Sequence, residues 1–339
     1  MEQKPATIKE IAKQLNISVS TVSRALHDHS SIGLRTKTRV KELAAKLSYE
    51  RNETAIFFQQ RKTFTIGVIL PELGEAFFSA SISGIEDTAE KNKYTVLIGQ
   101  SHDNEEREKK IVESMKNHRV DGLIISLAKN TVNYDHFEML KRYNIPIVFF
   151  DRIPKMSNIH YVACNMASGT VEAVNFLFKK GHRVIGMING PDKLFASQER
   201  KQGYIEAVTK SRLKFDPSLV VTSDLTIEGT NKAMEELLTS KRKPTAIVTF
   251  NDYVALDAVK YAQQKNRKIN KDISFVSYSN LPLSQYTSYP PLASVEQFPY
   301  LQGRKATEIL LQLLQPNADQ NAFYKIIIDS KLAVHDNKK

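Results

Sequence analysis

Cysteine occurs once in the 339 residues, at Cys164, which excludes an intrachain disulfide and a cysteine-rich metal site. No apolar run is long enough to span a membrane, and the N-terminal segment lacks the apolar core of an export signal. A soluble cytoplasmic protein with no membrane partner is the expectation. Catalytic and nucleotide-binding signatures are missing too: there is no GxGxxG, P-loop, HExxH or GxSxG. His102 and His182 have no nucleophile beside them in sequence, so catalysis is not expected, nor is a cofactor or a metal ion. Low-complexity tracts, short repeats and leucine heptads are absent, and the polar tail from His335 offers no coiled coil.

Basic charge, by contrast, is unevenly placed. The formal net charge is +11, and the first 62 residues hold 12 Lys and Arg against 6 Asp and Glu. A basic terminal module on a near-balanced body points to a polyanion as the module's partner. The length allows two or three domains.

The module reads as a helix-turn-helix. Thr7 is a good N-cap, and Glu10 completes a capping-box pattern. Ile8, Ile11, Ala12 and Leu15 give the first helix one apolar face. Asn16 suits a left-handed position at its end, and Ser18 caps a second helix with Val22, Ala25 and Leu26 inward. That leaves Val19, Ser20, Thr21, Ser23 and Arg24 outward, side chains suited to phosphates and base edges in a major groove. A third helix is predicted over 36–47, with Arg35, Lys37, Arg39 and Lys41 near its start as phosphate contacts. A short amphipathic hairpin with a solvated polar face would produce part of the same pattern.

Residues 7–49 resemble the DNA-binding domain of the LacI/GalR family of bacterial transcription regulators. The shared positions include Thr7, Ile8, Ile11, Ala12, Ser18, Thr21, Val22, Ser23, Arg24, Thr36, Val40, Leu47 and Tyr49, and the resemblance extends along nearly the whole chain. Asn16, Gly33 and Lys37 depart from the family's usual glycine, capping serine and arginine. The resemblance implies a double-stranded DNA operator as partner, bound by a homodimer. Thr7, Ser18, Val19, Ser20, Thr21, Ser23, Arg24 and Lys37 are the candidate contacts in the domain, which is expected to span 1–50. It also implies a hinge segment over 51–63 that enters the minor groove, through Asn52, Ala55 and the wedge position Phe58. Phe is among the wedges that minor-groove proteins use.

From Phe64 onward, short runs rich in Ile and Val alternate with helical patterns: FTIGVIL, YTVLIG, DGLIISL, IPIVFFD, then YVACN, RVIGMIN, LVVTS, TAIVTF and ISFVSYS. Continuous apolar strands between helices indicate parallel sheets covered on both faces. There are too many for one modest sheet, so two similar α/β lobes are expected. By resemblance this is a periplasmic-binding-protein-like core: two parallel sheets, with three crossovers near 163, 292 and 321. One lobe would hold 64–163 with 293–320, and the other 164–292 with 321–339. The segment around Phe78 to Glu90 is the expected dimer face.

Strand ends in such sheets hold ligands. Phe77, Phe78, Ser126, Asp151, Arg152, Asn251 and Asp252 fall there, with Arg200 at the start of a later helix and Ser279 after another strand. Their mix of donors, acceptors and aromatic faces suits a sugar or sugar derivative. The resemblance identifies Arg200 as the effector-contacting arginine, and matches Phe250 to Asp252 and Phe149 to Arg152 to ligand-contacting strand ends. Ser279-Asn280 stands where many relatives carry two aspartates, and Leu225 where some carry a stacking ring. One lost carboxylate beside Arg152 and Arg200 favours an anionic carbohydrate, a uronate or sugar phosphate. Cys164 is expected to be a buried small residue. A repressor of carbohydrate-metabolism genes is the expected function, and a sugar-binding receptor without a transcriptional role is the alternative.

Overall fold

A computed structural model describes residues 6–49, 62–319 and 321–335. The chain divides into a helical unit up to Thr63 and a larger unit from Phe64.

The first unit holds α1 (Ile8–Leu15), α2 (Val19–Leu26) and α3 (Leu34–Lys46). Thr7 and Glu10 form the capping box: Thr7 Oγ1 accepts from Glu10 N at 3.3 Å, and Thr7 N donates to Glu10 Oε2 at 2.9 Å. Asn16 takes the left-handed conformation, φ 52°, and its N–H closes the end of α1. Ser18 caps α2 by accepting from Thr21 N at 3.1 Å. Helix α3 starts two residues earlier than its apolar pattern predicts, because Gly33 serves as its N-cap without a side-chain bond. Ile11, Ala12, Val22, Ala25, Val40 and Ala44 are the buried core, with Tyr49 packed at its edge.

The second unit has two lobes. The first sheet uses β1 (Thr65–Leu70), β2 (Thr95–Gln100), β3 (Gly122–Ile125), β4 (Ile147–Phe150), β5 (His160–Asn165) and β11 (Lys325–Asp329), in the order β2-β1-β3-β4-β5-β11, all parallel. Its helices are α4 (Ala76–Lys91), α5 (Glu105–Asn117), α6 (Asp135–Lys141) and α11 (Pro299–Leu313). The second sheet repeats the plan with β6 (Ile185–Asn189), β7 (Val220–Thr222), β8 (Ala246–Thr249), β9 (Ser274–Tyr278), β10 (Ala293–Glu296) and β12 (Lys331–Val334), in the order β7-β6-β8-β9-β10-β12. Its helices are α7 (Met166–Lys179), α8 (Phe195–Lys210), α9 (Ile227–Thr239) and α10 (Asp252–Gln264). Each sheet has an apolar cluster on both faces, which is why its strands read as continuous apolar runs. Helices α4 and α11 approach at glycines: a Cβ on Gly84 would meet the Tyr300 carbonyl oxygen at 2.1 Å, and one on Gly303 the Ser81 oxygen at 2.1 Å.

Two expectations are corrected. The second sheet is not wholly parallel, because β12 runs antiparallel to β10. Only Ser330 separates β11 from β12, so a chain leaving one sheet at its strand end enters the other at the facing end and runs the opposite way. The lobe boundaries also move. Ala293–Glu296 pairs with the second sheet and Lys325–Asp329 with the first, so the chain crosses after Asn165, after Glu296 and at Ser330 rather than near 163, 292 and 321. Each strand completes its ladder before the chain changes lobe, and an apolar run does not reveal which ladder it joins.

Candidate effector cleft and DNA-recognition helix

In the helical unit, α2 presents a polar face. Val19 is 41% exposed, and Ser18, Ser20 and Arg24 are exposed beside it. Thr21 and Ser23 are half-buried. Ser18 Oγ lies 2.8 Å from both the Ser20 and the Thr21 hydroxyls, so the start of the helix is a connected set of hydroxyls. Lys37 donates to the Asp28 carbonyl at 2.8 Å, and Lys41 pairs with the Asp28 carboxylate at 2.7 Å. That bond ties Lys37 to the loop between α2 and α3. Thr7 is exposed, and its hydroxyl is committed to the α1 cap. Asn52, Ala55 and Phe58 lie outside the described residues.

In the larger unit, strand ends from both lobes surround a cleft of about 110 Å³. Phe77, Phe78, Asp151, Arg152, Arg200, Asn251 and Ser279 line it. Two strand-end residues take left-handed backbone there, Asp151 with φ 57° and Ser279 with φ 87°. Asp151 accepts from Ser126 Oγ at 3.4 Å and lies 3.9 Å from Arg152 Nε. Burial raises the Asp151 carboxyl from its ordinary value, against the opposing pull of Arg152 and Arg200. The Arg152 guanidinium donates to Asp103 at 2.5 Å and sits 5.7 Å from the Phe78 ring centre.

Arg200 is the unusual group. It is 3% exposed, with its guanidinium 4.0 Å from the Phe250 ring centre and 4.1 Å from that of Tyr278. Its Nη2 meets Met166 Sδ at 3.9 Å, and its Nε and Nη1 have no hydrogen-bond partner among the described residues. Burial lowers its pKa from the ordinary value, against the opposing pull of Tyr278 and Asp151. Tyr278 is held as a fixed ring face, because its hydroxyl donates to the Met166 carbonyl at 2.7 Å and meets Thr170 Oγ1 at 2.5 Å. Burial pushes the Tyr278 phenol up to about 12, so it stays neutral.

A model of the bacterial regulatory proteins of the lacI family matches residues 7–52, and a model of periplasmic binding proteins and the sugar binding domain of the LacI family matches residues 63–336. The chain belongs to the LacI family. The HTH-type transcriptional repressor CytR of Escherichia coli K12 is 31% identical over 314 residues, 93% of this chain and 91% of that one. Catabolite control protein A of Priestia megaterium is 30% identical over 309 residues, 91% of this chain and 92% of that one. The lac repressor dimer bound to operator and the anti-inducer ONPF superposes with a TM-score of 0.83 at 23% identity, covering 97% of this chain and 98% of that one. The regulator CelR in complex with cellobiose gives 0.74 at 22% identity, over 98% of this chain and 100% of that one. These two structures share the fold. As a LacI-family member, the chain is a DNA-binding transcription regulator whose relatives are repressors rather than enzymes. Among the described residues, no helix is long and apolar enough to cross a membrane, and no acidic, His or Cys group is arranged to hold a metal ion.

Two residues expected at the LacI-family cleft lie beneath it. Ser126 is fully buried and reaches the cleft only through Asp151. Asp252 is 0% exposed, and its carboxylate accepts from Leu281 N at 2.6 Å, Ser294 Oγ at 2.7 Å and Ser277 Oγ. It braces β9, β10 and the start of α10 rather than facing a ligand. Asn251, one residue earlier, caps α10 through Oδ1, accepting from Val254 N at 2.9 Å, and borders the cleft. The sequence reading missed Glu75, Lys129, Tyr134, Lys155, Lys193 and Gln297, which also line the space. Lys129 and Lys155 follow strand ends, and the rule that found Arg152 would have found them. Cys164 is buried, and burial pushes its thiol up to about 12, as befits a small core residue.

Proposed function

We propose that this chain is a dimeric repressor of carbohydrate-metabolism genes that reads a palindromic operator through α2 and is controlled by a small anionic carbohydrate in the cleft. One observation carries the ligand reading: Arg200, buried between two rings, with two nitrogens that have no acceptor among the described residues. A buried guanidinium in that state costs stability, and a ligand carboxylate, phosphate or hydroxyl would supply the missing acceptors. The lining agrees in sign. Lys129, Arg152, Lys155, Lys193 and Arg200 face two carboxylates, Glu75 and Asp151. On the DNA side, the exposed Val19, Ser20 and Arg24 would meet base edges, and two-fold symmetry of the dimer would match two inverted half-sites. The segments 64–165 with 297–329 and 166–296 with 331–335 are then the two lobes whose relative position couples cleft to operator.

A nucleoside is the second reading, favoured by the aromatic side chains of Phe77, Phe78, Tyr134, Phe195 and Phe250 around the cleft. Thermal unfolding of the full-length protein against sugars, uronates, sugar phosphates and nucleosides separates the two. A ligand at ~100 times its Kd stabilises the native state by roughly 2.7 kcal/mol. A selective shift with a uronate or sugar phosphate, lost in Arg200→Ala, is the expected result. A shift with nucleosides alone would replace the first reading by the second. Operator binding with and without the active compound then tells inducer from corepressor.

A further inference from the structure

The turn after β2 places two successive residues in the left-handed region, His102 with φ 51° and Asp103 with φ 57°. Helix α5 follows and carries Glu105 and Glu108. Across from them, residues 127–134 lead from β3 to α6 and bring Lys129 and Tyr134 to the cleft. Three carboxylates take backbone N–H groups of that loop: Ala128 donates to Glu108 at 2.8 Å, Lys129 to Asp103 at 2.9 Å, and Val132 to Glu105 at 3.0 Å. Glu108 is fully buried and also receives the Thr131 hydroxyl at 2.8 Å, with His136 Nε2 at 3.2 Å. Asp103 has a second role. It accepts from Arg152 Nη1 at 2.5 Å and lies 3.8 Å from Lys129 Nζ. Both cations line the cleft, so the carboxylate that positions this wall also neutralises it.

We propose that Asp103 is a positioning residue that sets the charge selectivity of the cleft. An entering phosphate or carboxylate must replace Asp103 as the partner of Lys129 and Arg152, whereas a neutral ligand leaves that pairing intact. The inference rests on the cleft being a small-molecule site. Glu108 provides the contrast, since it holds the same loop without touching either cation.

The test is titration calorimetry on the full-length protein with matched probes: glucose against glucose 6-phosphate, galactose against galacturonate, and inorganic phosphate. Asp103→Asn keeps an acceptor oxygen for the Lys129 N–H and removes the charge. Deleting one unit charge a few ångströms from the binding group should raise the preference for the charged member of a pair by roughly tenfold. Glu108→Gln should change both members alike. A preference that stays constant in Asp103→Asn, while the wild type binds the probes, overturns the selectivity role and leaves the cleft reading standing. A wild type that binds none of them overturns the carbohydrate reading of the cleft and this inference together. Amide hydrogen exchange tests the positioning role without a ligand. Asp103→Ala should speed exchange at Lys129, and an unchanged rate would remove that role.

Discussion

The two walls of the cleft treat their guanidinium groups in opposite ways. On the first-lobe wall, Arg152 has Asp103 at 2.5 Å and Asp151 at 3.9 Å. On the second-lobe wall, Arg200 is buried against two rings, and its Nε and Nη1 have no hydrogen-bond partner among the described residues. A paired charge fixes the wall that carries it. An unpaired one lowers the stability of the empty protein and keeps its hydrogen-bonding capacity for a ligand. Neighbours in sequence divide in the same way. Asp252 is surrounded by donors and braces its lobe, while Asn251 borders the open space. What a polar residue does at this cleft follows from its partners, not from its place at a strand end.

The largest expected effect comes from breaking a paired group. Asp252→Ala leaves the Leu281 N–H and the Ser277 and Ser294 hydroxyls without their acceptor. Leaving these buried donors unsatisfied, at roughly 1–3 kcal/mol each, should cost about 3 kcal/mol or more, read as a lower urea midpoint of the core. A loss under ~1 kcal/mol would mean the carboxylate is not a brace. Arg200→Met is the opposite experiment. It should weaken effector binding by about 100-fold or more, while stability of the ligand-free protein stays level or rises by ~1 kcal/mol. A marked fall in ligand-free stability would show that Arg200 holds the lobe together, and the contrast between the walls would disappear.

How far the sequence could be read follows the same division. Local signals carried well: the Thr7 capping box, Asn16 as a left-handed helix end, and the alternation of apolar runs with helices all depend on near neighbours. Arg200, Arg152 and Phe78 reached the cleft because strand ends and helix starts converge in this topology. Asp252 could not be told from Asn251, because the distinction lies in donors contributed by Ser277, Leu281 and Ser294, far along the chain. The antiparallel β12 and the sheet membership of Ala293–Glu296 were hidden for a similar reason, since a ladder partner is a long-range fact. Lys129 was overlooked although it follows a strand, because a lysine in a polar loop reads as solvated until its loop is seen fastened to α5.

The comparison of paired with unpaired groups extends to the helical unit, where pairing is at the surface and effects are smaller. Thr7→Ala removes one half of the α1 capping box and should cost ~1 kcal/mol. The core formed by Ile11, Ala12, Val22, Ala25, Val40 and Ala44 is small, so that loss should appear as a lower melting temperature of the helical unit, with the core transition unmoved. Circular dichroism melting of the full chain reads both transitions, and equal shifts in the two would contradict this local role.

The smallest effect concerns Asp151, which feels Arg152 from one wall and Arg200 from the other. Burial raises its carboxyl above the ordinary value, so the folded chain holds this proton more tightly than the unfolded chain. Its contribution to stability is therefore full below the unfolded value, ~3.9, and is lost as pH rises through the folded value. Asp151→Asn should remove that slope, so its stability advantage over the wild type should grow from acid toward neutral pH. The two arginines oppose the burial effect. Removing Arg200 should therefore raise the Asp151 carboxyl further and carry the slope to higher pH in Arg200→Met than in the wild type. Urea midpoints across pH for the two single variants and the double variant give the coupling directly. A slope that does not move in Arg200→Met would show that Asp151 responds to its own wall alone, and that the two walls are electrostatically separate when the cleft is empty.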